Sequence, residues 1–156
     1  MQQPDVRPRV LVMESYEEVA QLETAVAAMC GCRVDQACTG DHALRFLEEN
    51  AYDVILADAP LVVGPGQLML DLLAGELQAL ARKTVILTTH IHEYDVRTRA
   101  AEAGVYAVLA KPFEVTDLCS IILDCAFNEG RRGPIRWIGI SPPSFATSTD
   151  AELVAR

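Results

Sequence analysis

The centre of the chain reads YDVILADAP, which covers residues 52–60. Its apolar part, Val54–Ala57, is short and ends in the carboxylate of Asp58. A run of this length, bounded by turn residues, is typical of a strand buried on both faces of a parallel sheet. In open α/β sheets the functional groups lie just beyond the carboxyl ends of the strands. We therefore expect Asp58 to lie at the functional edge of the protein.

Three other apolar runs also lead into polar side chains. They cover residues 10–13, 85–87 and 105–110, and the polar residues that follow them include Glu14, Thr89 and Lys111. If the four runs are neighbouring parallel strands, these side chains and Asp58 meet at one edge of the sheet. Two carboxylates, a hydroxyl and an ammonium group suit a divalent cation and a phosphoryl group.

The composition favours one acidic domain with a real core. The chain has 156 residues, of which 51% are hydrophobic, and its formal net charge is -9. A length of this order suits a single domain. An acidic protein is a poor candidate for direct nucleic-acid binding, which needs basic surface. The charge is compatible with metal binding and with a protein partner.

Other features of the sequence favour a cytoplasmic protein. No apolar run approaches the ~20 residues that a membrane helix needs, and the N-terminus lacks the apolar segment of a signal peptide. The five cysteines form no CxxC pair, which predicts reduced thiols that pack as small apolar side chains. We expect no membrane contact.

Five strands alternate with five helices along the chain. The strands are predicted at residues 9–13, 33–37, 54–58, 84–88 and 106–110, and the helices at 16–29, 40–50, 68–82, 93–103 and 115–127. This alternation predicts an α/β fold with a parallel sheet and right-handed crossovers. Residues 60–66 are predicted to form a loop.

The first helix has a predicted start, buried face and end. Ser15 and Glu18 fit a capping box. An apolar stripe of spacing three and four follows, formed by Val19, Leu22, Val26 and Met29. Gly31 then suits the end of the helix.

The pattern changes after Phe127. Residues 135–140 are apolar enough to add a strand or to dock on another surface, and residues 141–150 read as flexible. We therefore divide the chain into a domain at 8–128 and a partly flexible C-terminal tail at 129–156, with no output domain.

At this point the chain resembles the receiver domain of two-component response regulators, over about residues 8–128. The resemblance rests on the order and spacing of several short signals, namely Glu14, Asp58, Gly66, Thr89, Ala103-Gly104 and Lys111-Pro112-Phe113. It implies a flavodoxin-like (βα)5 three-layer sandwich with a five-stranded parallel sheet in the order 2-1-3-4-5.

The resemblance also implies roles for the residues at the sheet edge. Asp58 corresponds to the aspartate that accepts a phosphoryl group from a histidine kinase, a phosphotransfer protein or a small donor. Thr89 corresponds to the hydroxyl that turns toward that group, and Lys111 to the lysine that pairs with it. The Lys111-Pro112 bond corresponds to a cis peptide.

A Mg²⁺ ion is the cofactor that the resemblance implies. Its positions correspond to Glu14, Ser15, Asp58 and the backbone carbonyl of Pro60. The family usually has two adjacent acids where this chain has Glu14 and Ser15. Because a hydroxyl carries no negative charge, this change should weaken Mg²⁺ binding.

Two further departures concern the switch itself. The position three residues before Lys111 is usually aromatic but is Val108 in this chain, although Tyr106 lies nearby. His90 is bulky where the family usually has a small residue. The nucleophile, the hydroxyl and the lysine are kept, whereas the metal pair and the aromatic position are altered.

These features favour a stand-alone receiver, which is a phosphorylation-controlled switch that acts through a partner protein. The alternative is a pseudo-receiver that no longer accepts phosphate and serves as a constitutive interaction module. A flavin or nucleotide binder is disfavoured because Glu14, Glu17 and Glu18 occupy the loop that would hold phosphate. We expect no enzymatic activity on an external substrate, since no His or Cys joins the site.

Overall fold

Six strands build the central sheet of the computed structural model, which describes residues 3–64, 67–89, 93–127 and 133–144. The strands of the chain are β1 (Arg9–Met13), β2 (Arg33–Ala37), β3 (Val54–Asp58), β4 (Val62–Gly64), β5 (Gln67–Leu68), β6 (Thr84–Thr89), β7 (Ala107–Lys111) and β8 (Arg136–Ile138). The central sheet has the order β2-β1-β3-β6-β7-β8, and its strands are parallel.

Helices cover both faces of this sheet. They are α1 (Glu17–Met29), α2 (Gly40–Glu49), α3 (Met69–Leu73), α4 (Gln78–Ala81), α5 (Glu93–Ala103) and α6 (Val115–Phe127). Alternate residues of a strand point to opposite faces. Accordingly, Leu11 and Ile55 join the core beneath α2, α3 and α5, whereas Val10 and Val54 join the core beneath α1 and α6. The result is the three-layer α/β sandwich that the sequence predicts.

The predicted order of five strands is confirmed, and the count is corrected to six by β8. The extra strand pairs with β7 in parallel, so that Trp137 lies opposite Val108. Ile135 and Trp137 pack on one core and Ile138 on the other, which explains why this apolar segment joins the sheet. Residues 145–150 of the predicted flexible segment lie outside the described residues.

Two predictions for residues 60–82 are wrong. The predicted loop contains β4, which pairs with β5 in a small antiparallel sheet. The predicted helix at 68–82 is divided into α3 and α4 by a turn at Gly75, where Leu77 donates a backbone hydrogen bond to Leu72 over 2.7 Å. Glycine lowers helix stability by about 1 kcal/mol relative to alanine, which favours an interruption at this position.

The start of the first helix also differs from the prediction. Its N-cap is Tyr16, which makes no side-chain capping bond, and Ser15 is exposed one residue earlier. The predicted ends are confirmed at Gly31 and Gly104, which follow α1 and α5 with φ angles of +87° and +73°. Such angles strongly favour glycine.

The buried face of α1 is rotated from the predicted stripe. The helix buries Ala20, Glu23, Val26 and Ala27, whereas Leu22 and Met29 are exposed. Small alanine side chains allow the helix backbone to approach the sheet closely. Glu23 is thereby carried into the interior.

The cysteines depart from the prediction of free thiols. Cys30, at the C-terminal end of α1, is joined by a disulfide to Cys119 of α6, with Cα atoms 6.3 Å apart. The two helices pack side by side on one face of the sheet, and this arrangement brings together residues that are 89 positions apart in sequence. Cys32 and Cys125 lie outside this disulfide and are buried, as expected for small apolar side chains.

Candidate functional site

Four strands bring the predicted site residues to one edge of the sheet. Asp58 is the last residue of β3, and Glu14 directly follows β1, which pairs with β3. Thr89 and Lys111 end β6 and β7 and lie opposite each other in the sheet register. Parallel alignment thus brings together, at one edge, residues up to 97 positions apart.

Lys111 connects the two carboxylates. Its Nζ donates hydrogen bonds to Oε1 and Oε2 of Glu14, both over 3.1 Å, and to Oδ1 of Asp58 over 2.8 Å. Glu14 is completely buried and Asp58 is 4% exposed. A buried charge needs such partners, because removal from water strongly disfavours an isolated ion. The ammonium therefore holds together two anions that would otherwise repel each other.

The pKa of Glu14 reflects its burial next to the charge of Asp58. Burial, and then the negative charge of Asp58, raise the pKa of Glu14 to about 7, although Lys111 acts in the opposite direction. Because this value lies near neutrality, a second cation close to the carboxylates would readily favour the ionised form of Glu14.

Lys111 remains a cation in this setting. Burial lowers its pKa, but the hydrogen bonds and charges of Asp58 and Glu14 outweigh that effect and raise the pKa above its ordinary value. The site therefore holds a fixed positive charge 2.8 Å from an oxygen of Asp58. A phosphoryl group on that oxygen would lie beside the ammonium.

Thr89 and Lys111 also line a cavity of about 320 Å³ at the same edge. Its other walls are apolar, and they come from α1 and from the segment after β7: Val19, Leu22, Pro112 and Phe113. Thr89 itself is exposed. The Lys111-Pro112 peptide bond is cis, as the resemblance implies.

The remaining predicted residues that the structure describes are exposed and are not buried with the carboxylates. Ser15 follows Glu14 but is exposed, and Pro60 is exposed in the turn after β3. In this turn, the backbone N–H of Leu61 donates to the carbonyl of Asp58 over 3.1 Å. Gly66 and His90 lie outside the described residues, so their predicted contributions stay predictions.

The oxygen atoms at this edge fit a hard divalent cation. Within the described ranges, no group of three or more Asp, Glu, His or Cys side chains converges as a metal site. Mg²⁺ does not need such a group, because it keeps several waters and commonly binds through one or two carboxylates and a phosphate. Glu14 and Asp58 supply two buried carboxylates, and the carbonyl of Pro60 follows in the adjoining turn. The ion pairs with Lys111 show that these carboxylates accept a cation between them.

Sequence reasoning missed one ionisable residue near this site. Glu23 of α1 is 1% exposed, and neither of its carboxyl oxygens has a hydrogen-bond partner. The sequence does contain a signal for the burial of Glu23. It lies four residues after Val19 and three before Val26, which places it on the apolar side of the helix. The stripe at 19, 22, 26 and 29 concealed this signal.

A curated relative matches most of this chain in sequence. The transcriptional regulatory protein DltR of Streptococcus agalactiae serotype III (strain NEM316) is 30% identical over 115 residues. The match covers 73% of this chain and 50% of DltR. The chain thus spans about half the length of the curated relatives it matches.

Solved receiver structures share the fold. The receiver domain of the Francisella response regulator 1452 gives a TM-score of 0.67 at 22% identity, covering 79% of this chain and 99% of that one. The signal receiver domain of an HD domain-containing protein from Pseudomonas fluorescens Pf-5 gives 0.69 at 21% identity, covering 81% and 99%.

The family described as the response regulator receiver domain matches residues 10–123. This range includes the buried carboxylates and the lysine that joins them, as well as the five strands β2-β1-β3-β6-β7 except for Arg9, the first residue of β1. The match, the relative and the fold agree with one another, and the chain belongs to the receiver domain family of two-component response regulators.

Proposed function

We propose that this receiver domain accepts a phosphoryl group on Asp58 from a histidine kinase or a phosphotransfer protein, and that it then acts through a downstream protein partner. The observation that carries the proposal is the contact of 2.8 Å between Lys111 Nζ and Asp58 Oδ1 at the carboxyl edge of the sheet. A nucleophilic carboxylate needs a nearby positive charge to approach a phosphate anion.

The transfer requires one bond to form and one to break. An oxygen of Asp58 forms the new bond to phosphorus, while the bond from phosphorus to the donor nitrogen or oxygen breaks and the donor keeps that electron pair. Lys111 stabilises the added negative charge, since its ammonium already lies at hydrogen-bond distance from Asp58. Thr89 lines the cavity that Lys111 also borders, and its hydroxyl would turn toward the phosphoryl group.

Glu14, Asp58 and the carbonyl of Pro60 are the groups that would hold Mg²⁺, with Ser15 contributing at most a hydroxyl. When bound, the ion neutralises charge on the phosphoryl oxygens. Glu14 is one acid where the family usually has two, so we expect the ion to bind weakly.

The proposed output is a change in protein binding and not a chemical reaction on an external substrate. Phosphorylation would favour the conformation in which Thr89 turns inward, and the surface formed by α5, β7 and α6 would change with it. We propose that phosphorylation and partner binding take place in the cytoplasm. None of the described helices is long and apolar enough to span a membrane.

Phosphorylation by acetyl phosphate, followed by intact mass, tests the function. We expect a Mg²⁺-dependent gain of one phosphoryl group in the wild type and none in Asp58→Asn. Asp53→Asn is the matched control, because Asp53 lies just before the opposite end of β3, where it accepts a hydrogen bond from the Arg9 backbone over 2.8 Å. Phosphorylation of Asp58→Asn at the wild-type level would overturn the assignment.

A pseudo-receiver is the second candidate, and the aromatic position favours it. Val108 is completely buried and lies opposite Trp137 of β8, so an added strand occupies the edge beside the usual switch position. This candidate predicts no phosphorylated product and the same partner binding in wild type and Asp58→Asn. A stable adduct on Asp58 would exclude it.

A further inference from the structure

Residues 133–144, which we call the strap, lie along the outer edge of β7. Strand β8 of the strap pairs with residues 107–109 of β7. Beyond β8, Gly139 approaches Ala110 so closely that an added Cβ would lie 3.1 Å from the Cβ of Ala110. Ala110 directly precedes Lys111, which pairs with both buried carboxylates. The strap therefore reaches to within one residue of the ammonium at the proposed phosphoacceptor site.

Polar contacts tie the strap to helices on both faces of the sheet. On one face, Nη1 of Arg97 in α5 donates to the backbone carbonyl of Ser141 over 3.1 Å and to that of Pro142 over 3.4 Å. On the other face, Arg136 of β8 forms an ion pair with Asp124 of α6. The core beneath α5 and the core beneath α6 are separate clusters. The strap thus bridges both helical layers around the end of the sheet.

Strand β8 is held less firmly than the strand beside it. It has three residues, none of which is buried, whereas four of the five residues of β7 are buried. Past β8, Ile140 is buried in one core. Elements that bury little surface open at a lower free-energy cost than the core of a domain. A segment of this kind is suited to release while the rest of the domain stays folded.

The strap joins the two elements that adjoin the proposed switch residues. Thr89 ends β6, and three residues separate it from Glu93, the first residue of α5. Lys111 ends β7. Inward movement of Thr89 would displace the start of α5, whereas Arg97 connects α5 to the strap on the edge of β7. Because contacts that differ between two conformations set their populations, the strap would favour the arrangement in which Thr89 is exposed.

We propose that the strap is an autoinhibitory contact, which stabilises the unphosphorylated arrangement of α5 and β7 and is released when Asp58 is phosphorylated. This role rests on the proposed function, because phosphorylation is the signal that the strap opposes. By linkage, a contact that is lost on phosphorylation also lowers the affinity of the site for a phosphoryl group. Release uncovers the edge of β7, and unpaired backbone groups at such an edge suit an extended segment of a protein partner.

Hydrogen exchange of the full chain, followed by mass spectrometry, measures release of the strap. Beryllofluoride, added with Mg²⁺, mimics a phosphoryl group on Asp58. We expect peptides that cover the strap to exchange at least about 10-fold faster when it is bound, because the amide of Arg136 loses its hydrogen bond to the Tyr106 carbonyl. Peptides from β2, at the opposite edge of the sheet, should be unchanged. Equal protection of the strap with and without beryllofluoride would overturn the inference.

Arg97→Met gives the reciprocal measurement, because it removes the two hydrogen bonds between α5 and the strap. One hydrogen bond contributes a factor of about 2 to 12 to an equilibrium constant, so we expect beryllofluoride to bind more tightly by about this factor. Half-saturation is measured from the exchange of the peptide that contains Lys111. Arg45→Met, an exposed change on α2, is the matched control and should bind as the wild type does. Unchanged or weaker binding by Arg97→Met would contradict the proposed role.

Arg136→Gln tests the attachment to α6 and serves if Arg97→Met folds poorly. It removes the ion pair with Asp124 and leaves an exposed polar side chain. We expect beryllofluoride binding to tighten by less than about fivefold, since an exposed ion pair contributes little. A strap that only adds stability predicts instead that both variants unfold at lower urea concentration and bind beryllofluoride as the wild type does. That pattern would overturn the inference.

The same data separate failure of the inference from failure of the proposed function. If beryllofluoride alters exchange of the peptide that contains Asp58 but leaves the strap protected, the inference fails and the phosphoacceptor site stands. If beryllofluoride alters exchange nowhere in the chain, and acetyl phosphate adds no phosphoryl group, the proposed function fails and the inference fails with it.

Discussion

The ion-pair site formed by Glu14, Asp58 and Lys111 and the C-terminal strand β8 are stabilised in opposite ways. At the edge, Glu14 and Asp58 are buried around one ammonium, and burial raises the pKa of Glu14 to about 7. At β8, the backbone N–H of Arg136 donates to the carbonyl of Tyr106 over 3.2 Å, and apolar side chains pack on the core. Replacing a buried ion pair with apolar residues is often neutral or stabilising, so charge is not needed for the fold at such a position.

The difference separates residues whose charge suits the proposed chemistry from residues that serve the stability of the fold. The ion-pair site concentrates charge where water is excluded, which costs stability and would strengthen electrostatic interactions with the phosphoryl group of the proposed reaction. The C-terminal strand lies outside residues 10–123 of the family match, yet it extends the sheet and supplies Trp137 to one core, which Ile140 joins just after the strand. Changes at the ion-pair site should therefore alter the free energy of unfolding through charge and pH. Changes at β8 should alter it through the shape of the packed side chains.

The largest expected effect comes from Lys111→Met. This change removes the ammonium and leaves two buried carboxylates unpaired, so we expect the free energy of unfolding at pH 8 to fall by about 3–5 kcal/mol. Urea unfolding followed by circular dichroism measures it. Lys83→Met, which changes the only other lysine, should alter stability by less than about 1 kcal/mol. A similar small change for Lys111→Met would remove the contrast between the two regions.

The pH dependence of stability should be the next largest effect. Glu23 binds a proton more tightly in the folded chain, because its pKa is raised from 4.5 to about 8. Protonation then favours folding, so the contribution of Glu23 to stability is fully present below about pH 4.5 and is lost as the pH rises through 8. Glu14 acts in the same direction up to about pH 7.

Glu23→Gln tests how much of this pH dependence comes from Glu23. We expect it to reduce the loss of stability between pH 5 and pH 9 by about 2–4 kcal/mol, measured by urea unfolding at each pH. Glu49→Gln should leave the dependence unchanged, since that side chain is exposed. An identical slope in the wild type and Glu23→Gln would show that Glu23 does not titrate with a raised pKa.

The smallest effect concerns the shape of the C-terminal segment. Gly139 follows β8 with a φ of +75°, and an added Cβ would lie 3.1 Å from the Cβ of Ala110. Gly139→Ala should therefore lower the free energy of unfolding by roughly 1–2 kcal/mol in a urea titration, with little dependence on pH. Gly75→Ala is the control, because its nearest neighbour is the Asp71 carbonyl oxygen at an ordinary 3.6 Å. Equal effects of the two changes would contradict a tight fit at Gly139.

Much of the fold follows from short-range patterns in the sequence. The alternation of apolar strands and helices predicts a parallel α/β sandwich, and the polar residues that end the strands predict that Glu14, Asp58 and Lys111 meet. The structure places these three residues in contact. Their roles in phosphoryl transfer and metal binding stay predictions.

The parts that sequence patterns missed depend on how elements pack against each other. Spacing alone assigned Leu22 and Met29 to the buried face of α1, whereas the alanines at positions 20 and 27 face the sheet. This rotation hid Glu23. In the same way, the bond between Cys30 and Cys119 depends on two helices that meet only in the folded chain.

The sequence left the structure of residues 135–140, which contain β8, open for a different reason. Residues 135–140 are apolar, but such a short run fits a strand, a docking segment or an unstructured tail equally well. Its place is decided by the exposed edge of β7, which offers unpaired backbone groups to an added strand.

The position of Trp137 has a consequence for spectroscopy. It is the only tryptophan in the chain, and it is half-buried on β8 opposite Val108. Tryptophan emission depends on how far the indole is exposed to water. The intrinsic fluorescence of this protein is therefore a native optical probe of the C-terminal strand, and it needs no attached dye. A change in emission on phosphorylation would show that the signal has crossed β7 to reach that strand.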